Sequence, residues 1–171
     1  MLKGRCIDLT ELRSEDSADL FGWINDPQTV QFNAPFTPVH AASHDKWFED
    51  ILGDPKRIIF AIRKPKGRLL GVVQLIDIDP VHRTAELTIR IGDEKNRNQG
   101  AGSEAVKLVV DFAFRNRNLQ RVWLRVFATN KRAIRAYEKA GVKQEGILRR
   151  SRFIDGRWVD EIVMAILRDK P

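Results

Sequence analysis

Thr84-Ala85-Glu86-Leu87-Thr88-Ile89-Arg90-Ile91 leads through a loop ending Arg97-Asn98-Gln99-Gly100-Ala101-Gly102 into Ser103-Glu104-Ala105-Val106-Lys107-Leu108. The first eight residues alternate, with Ala85, Leu87, Ile89 and Ile91 on one face and Glu86, Thr88 and Arg90 on the other, which is the period of a strand. Residues 102–116 then read as a long helix. Strand, glycine-containing loop and helix follow one another. The first N–H groups of a helix have no internal acceptor, so this junction is a ready anion site, reinforced by the helix dipole. Gly100 and Gly102 carry no Cβ to hold a pyrophosphate off the backbone, and Arg97 adds a full positive charge. The loop lacks the Gly-Lys-Ser/Thr ending of a P-loop, and it lacks the third glycine and downstream acid of a dinucleotide fingerprint. Taken alone, two glycines in a turn more often mean a structural turn than a ligand site.

A second segment narrows the choice. Asn130-Lys131-Arg132-Ala133-Ile134-Arg135-Ala136-Tyr137-Glu138-Lys139-Ala140-Gly141-Val142 opens on a helix-capping asparagine and closes on a glycine stop. Ala133, Tyr137 and Ala140 share one helical face, so the tyrosine reads as a core residue with its hydroxyl at the rim.

The flanking sequence completes an α+β layout. Residues 3–13 read as a strand and Ser14 as the cap of a helix whose apolar face is Leu20, Phe21, Trp23 and Ile24. Pro27, Pro35 and Pro38 punctuate an irregular stretch. A helix over 40–52 turns Trp47, Phe48, Ile51 and Leu52 inward. Strands follow at 57–63, 69–79, 84–91 and 120–128, then a helix at 130–140 and two strands joined at Asp155-Gly156, a strong hairpin signal. The expected fold is a mostly antiparallel central sheet flanked by helices, in a single domain over 1–171.

The composition is that of a globular protein, with 43% hydrophobic and 31% charged residues. No apolar run is long enough for a membrane-spanning helix. The start lacks the apolar core of a secretory leader and there is one cysteine, Cys6, so the expected setting is the cytoplasm, with Cys6 a small core hydrophobe. Residues 1–54 hold 4 Lys/Arg against 10 Asp/Glu, the remainder 26 against 13, within a net charge of +7. A basic part suited to a phosphorylated ligand and an acidic part suited to a cation follow from that split. No nucleic-acid-binding motif accompanies the basic part. His40, His44 and His82 lack metal-ligand grouping with cysteine, so no metal is expected.

The glycine loop and the Asn130–Gly141 segment together resemble the GCN5-related N-acetyltransferase (GNAT) superfamily, in particular its ribosomal-protein and spermidine acetyltransferases. The likeness covers the whole element order and is strongest over 69–167. It implies acetyl-CoA as cosubstrate, held by Arg97, Asn98, Gln99, Gly100, Ala101, Gly102 and Ser103 at its phosphates, by Asn130, and by Ile89, Arg90 and Ile91 along the strand that pairs with the pantetheine. Tyr137 falls where the family places the acid for the departing thiolate. Glu86 falls where it places a carboxylate that removes the amine proton; its other reading is a partly exposed strand carboxylate paired with Arg90 or another cation.

The implied partner is a small-molecule amine of polyamine or amino-sugar type. A protein N-terminus or ribosomal protein stays open as the alternative acceptor, a noncatalytic acetyl-CoA sensor as the alternative class, and a homo-oligomer is left open. The acidic cluster by which the spermidine branch recognises polyamines is replaced here by Asn33-Ala34-Pro35-Phe36. Asp45, Glu49 and Asp50 are the remaining acids to attract a cation. His40 and His44, one helical turn apart, read either as acceptor contacts or as partly exposed helix residues. Trp23, Phe32, Phe36 and Trp47 read either as pocket lining or as core.

Overall fold

The computed structural model describes residues 1–32, 35–65, 67–92 and 100–169. Its elements are β1 (Leu2–Lys3), β2 (Asp8–Thr10), α1 (Asp16–Ile24), α2 (Pro27–Val30), α3 (Ala41–Gly53), β3 (Ile58–Arg63), β4 (Leu69–Asp79), β5 (Thr84–Ile91), α4 (Ala101–Asn116), β6 (Arg121–Phe127), α5 (Lys131–Lys139), β7 (Lys143–Ile154) and β8 (Arg157–Leu167). They build one eight-stranded sheet in the order β1-β2-β3-β4-β5-β6-β8-β7. Every neighbouring pair is antiparallel except β5 and β6, which the α4 crossover makes parallel. Among the described residues no helix is long and apolar enough to cross a membrane.

Two apolar layers sandwich this sheet. Ala101, Ala105, Val106, Val109, Val110 and Ala113 recur on one face of α4 and are buried against Val73, Leu75, Ala85 and Leu87. Small alanines let the helix axis approach the sheet closely. Each fully buried Val or Leu of this layer contributes about 1.5–3 kcal/mol by leaving water. On the opposite face Leu20 and Trp23 of α1 and Phe48 of α3 pack on Ala61, Leu69 and Val72. Gly92, just beyond β5, leaves room for Trp23, because a Cβ there would lie 1.9 Å from the indole ring.

Several local expectations are corrected. The single strand at 3–13 is two short strands separated by a turn in which Gly4 N–H donates to the Ile7 carbonyl at 2.9 Å. Glu104 of α4 holds that turn by accepting from the Arg5 and Cys6 amides. Cys6 is therefore exposed rather than part of the core. Helix α1 begins at Asp16 with Glu15 before it and no side-chain cap, so Ser14 does not cap it. Asp16 instead turns inward and binds Arg63 at 2.5 Å, a pairing between distant segments that no local pattern reveals. In α3 the buried positions are His44, Phe48 and Ile51, while Trp47 and Leu52 are exposed. A polar residue takes the inward position because its ring nitrogen has a partner on α1.

The Asp155-Gly156 hairpin is as expected, with φ of 47° and 73°, the left-handed pair a tight two-residue turn requires. Gly141, at φ 90°, stops α5.

Candidate active site

Strands β5 and β6 pair only from Thr84↔Arg121 to Glu86↔Trp123. Beyond that point β5 stays bonded to β4 as far as Ile91, and β6 stays bonded to β8 as far as Phe127. The two therefore diverge, leaving the inner edge of β5 from Leu87 onward without a strand beside it among the described residues. A wedge opens in the middle of the sheet. Two cavities occupy it, of about 400 and 560 Å³, and both are lined by Phe32, Ile89, Arg90, Arg125 and Tyr137.

The first cavity runs along the start of α4. Gly100 precedes that helix at φ 83°, a left-handed conformation that strains any residue with a side chain, and a Cβ there would touch nothing within 4 Å. The space above it is open. Glu104 N–H bonds to the Gly100 carbonyl at 3.0 Å, and the amides of Ala101, Gly102 and Ser103 before it have no acceptor among the described residues. Arg132, Arg135 and Lys139 of α5 line the same cavity. Donors, helix dipole and cations together suit a polyanion. Arg97, Asn98 and Gln99 lie outside the described residues. Asn130 lines the cavity while its Oδ1 caps α5, accepting from Ala133 N–H at 3.1 Å.

Tyr137 stands where the cavities meet, 8% exposed. Burial pushes its pKa up to about 12, which keeps the phenol protonated at neutral pH. Among the described residues no hydrogen bond occupies its hydroxyl, which is available to whatever fills the wedge.

The second cavity lies on the α1/α3 side of the sheet. Glu86, Thr88 and Arg90 of β5 face it, as do Val72 and Gln74 of β4, Arg125 and Phe127 of β6 and Glu161 of β8. Glu86 is buried and accepts from Arg125 Nε at 3.2 Å and Nη2 at 3.3 Å. Its cationic partner is therefore Arg125 and not Arg90, and it is buried rather than partly exposed. The hydrogen bond from Arg125 to Glu86 raises the arginine's pKa. Glu161 repeats the arrangement with Arg152 at 3.2 Å.

The remaining candidates separate. Phe32 and Trp47 line the second cavity, Trp23 is core, and Phe36 is exposed. His44 is buried, correcting the partly exposed reading, and its ring lines the cavity with Nε2 3.0 Å from the Ser17 carbonyl. His40 is exposed at the start of α3. Asp45, Glu49 and Asp50 sit on the outer face of α3, where Asp50 pairs with Lys46 at 2.9 Å, and line neither cavity. Asn33 and Ala34 lie outside the described residues. Sequence reasoning missed Arg57, Arg125, Arg152 and Glu161. The alternation of Trp123, Arg125 and Phe127 against Val122, Leu124 and Val126 marks a second face of β6, but gives no sign that two helices roof it.

Comparison with known proteins agrees with this geometry. The structure of spermidine N-acetyltransferase from Vibrio cholerae in complex with CoA and spermine superposes with a TM-score of 0.87 at 26% identity, covering 94% of this chain and 95% of that one. In sequence, spermidine N(1)-acetyltransferase of V. cholerae is 34% identical over 111 residues, 65% of this chain and 64% of that protein. The Escherichia coli K12 enzyme of the same name is 37% identical over 102 residues, 60% of this chain and 54% of that protein. A probable N-acetyltransferase of Bacillus subtilis, YjcK, is 42% identical over 103 residues, 58% of this chain and 55% of that protein. In these alignments the chain spans between half and two thirds of its curated relatives' length. The model of the acetyltransferase (GNAT) domain matches residues 7–143, and the chain belongs to that family.

Proposed function

We propose that this chain is an acetyl-CoA-dependent N-acetyltransferase acting, as one domain in the cytoplasm, on the primary amine of a small molecule. The observation that carries the reading is the wedge itself: a helix N-terminus with a cationic rim on one side, a second cavity on the other, and a buried neutral tyrosine between them. The relatives named as spermidine acetyltransferases support a small amine over a macromolecule.

The residues fit the cosubstrate. The amides of Ala101, Gly102 and Ser103, with Arg132, Arg135 and Lys139, match its phosphates, and Arg97, Asn98 and Gln99 are assigned to the same group by their motif. The unpaired edge of β5 at Ile89, Arg90 and Ile91 offers backbone groups to an amide-bearing arm, as an open strand edge does. Asn130 would meet that arm at the mouth of the first cavity.

Acetyl-CoA supplies an activated acetyl thioester, so the protein need only align an amine and manage two protons. Glu86, through water, takes the proton that the ammonium must lose before attack. The amine nitrogen then bonds to the carbonyl carbon as the carbon–sulfur bond breaks, and the sulfur receives the proton of the Tyr137 hydroxyl. Attack leaves a second proton on the nitrogen, which passes through water to the tyrosinate, while the proton taken by Glu86 goes to solvent. The ammonium has then lost two protons, one ending on the thiol and one in solvent, which closes the balance.

The test is thiol release from acetyl-CoA with panels of polyamines, amino sugars, amino acids and N-terminal peptides, with the product identified by mass. Thiol release with a small amine supports the proposal. Turnover of peptides alone would move the acceptor to a protein N-terminus. Acetyl-CoA binding without turnover of any amine would reduce the chain to a sensor.

A further inference from the structure

We infer that the amine acceptor carries a negatively charged group, a carboxylate or a phosphate, and that the Arg90 side chain receives it. The inference rests on the acetyltransferase reading and narrows its substrate class.

Four guanidinium groups line the second cavity, and three are matched to acids. Arg125 holds Glu86 at 3.2 Å, Arg152 holds Glu161 at 3.2 Å, and Arg57 has Asp54 at 3.5 Å. Arg90 differs. Its Nε, like that of Arg57, is buried without a hydrogen-bond partner, but among the described residues no acid pairs with Arg90, whereas Arg57 has Asp54. Burial alone pushes its pKa down, with no charge opposing the shift. A partly buried cation without a counter-charge is costly, and cavity space lies beside it. An anion arriving with the acceptor would supply the missing charge. The two carboxylates of the cavity are already engaged, so a second ammonium finds no free acid among the lining residues.

Arg90 lines both cavities, and its side chain lies on the face of the sheet that carries the acceptor cavity. Strand alternation turns Ile89 and Ile91 toward the α4 core, while Arg90 shares its face with Val72, its register partner on β4. Val72 packs with Leu20, Trp23 and Phe48, the α1/α3 layer that roofs the second cavity. The cofactor phosphates have their own donors at the start of α4 and on α5. Backbone pairing along β5 and anion capture by the Arg90 side chain are therefore separate duties.

The experiment compares matched acceptors on the intact chain at saturating acetyl-CoA: amino acids against their amides, amino-sugar phosphates against the unphosphorylated sugars, and spermidine. We expect one anion-bearing series to exceed its neutral counterpart by about 10–100-fold in kcat/KM, the range of a charge-assisted hydrogen bond. Which series responds tells carboxylate from phosphate. Arg90→Met should abolish that preference by raising acceptor KM, with acetyl-CoA KM changed less than about twofold, and Arg90→Lys should restore part of it. An unchanged thermal shift with acetyl-CoA certifies that the variants fold. Neutral amines or spermidine used as well as the anionic acceptors, or an Arg90→Met effect confined to acetyl-CoA KM, would overturn the inference and leave the acetyltransferase reading standing. Absence of thiol release with every amine would sink both.

Discussion

Replacing Tyr137 by phenylalanine removes one oxygen and leaves the ring that packs between α5 and the sheet. The hydroxyl has no hydrogen-bond partner among the described residues, so the loss to stability should stay within about 1 kcal/mol. Its loss to chemistry should be larger. With a pKa of about 12 the phenol is protonated throughout the working range, and it stands where both cavities meet. A proton donor to a departing thiolate contributes about 10²–10⁴-fold in rate, or about 3–5 kcal/mol at 1.36 kcal/mol per decade. We therefore expect kcat to fall by that factor in single-turnover thiol release, with acetyl-CoA affinity nearly unchanged.

The structure offers an independent check, because Tyr137 is the only tyrosine in the chain. Near-ultraviolet tyrosinate absorbance therefore reports this residue alone, and the folded protein should titrate about two units above an unfolded control. The sign of the linked stability follows: a pKa raised on folding gives stability that is full below pH 10 and is lost as pH rises toward 12. Tyr137→Phe should escape up to about 2–3 kcal/mol of that alkaline loss. Equal kcat for wild type and variant when chemistry limits the rate would refute the acid role and leave the tyrosine a packing residue.

Acetyl-CoA at 100 times its Kd should stabilise the native state by about 2.7 kcal/mol, read as a rise in Tm. Gly100→Asp should abolish that shift. Gly100→Ala should keep most of it, since its Cβ meets nothing and only backbone strain of about 1–2 kcal/mol is added; an undiminished shift in the Asp variant would remove the loop from the donor site. Asp16→Ala leaves Arg63 buried without its carboxylate and should cost about 3–5 kcal/mol in urea unfolding, against under 1 kcal/mol for a surface pair. Neutralising Asp45, Glu49 and Asp50 together removes charges outside both cavities, so acceptor KM should change by less than about threefold at physiological salt; a larger rise would return these acids to the acceptor site.

Contiguous signals carried most of the fold. The alternation of residues 84–91, the helical apolar face of 101–116 and the Asp155-Gly156 turn each depend on neighbours in sequence, and each was legible there. The failures share a different cause. Cys6 is exposed because Glu104, about a hundred residues away, captures the adjacent amides. Asp16 starts α1 facing inward because Arg63 of β3 waits for it. His44 displaces an aromatic from the inner face of α3 because Ser17 supplies a hydrogen bond. In each case a polar group found a partner that only the assembled chain provides, and hydrophobic periodicity takes no account of such partners.

The same distinction explains why the donor side was read so much more fully than the acceptor side. Phosphate recognition is written in consecutive residues, because a helix N-terminus and its preceding glycine make the site from backbone. The acceptor cavity is made of single side chains from β3, β4, β5, β6, β7 and β8, roofed by residues of α1 and α3. Glu86 shows what that arrangement does to inference. On its strand it is one polar residue in an alternating pattern, indistinguishable from a solvent-facing carboxylate. In the sheet it is held by Arg125, which the β5–β6 register brings alongside just where the strands part. Arg90, two alternations further out on the same face, has passed beyond the last β5–β6 pair and meets no such partner among the described residues. On the proposed reading, the divergence that opens a groove for the cofactor also leaves one guanidinium without a counter-charge among the described residues. If both proposals hold, donor binding and acceptor selection are consequences of the same broken pairing between two strands.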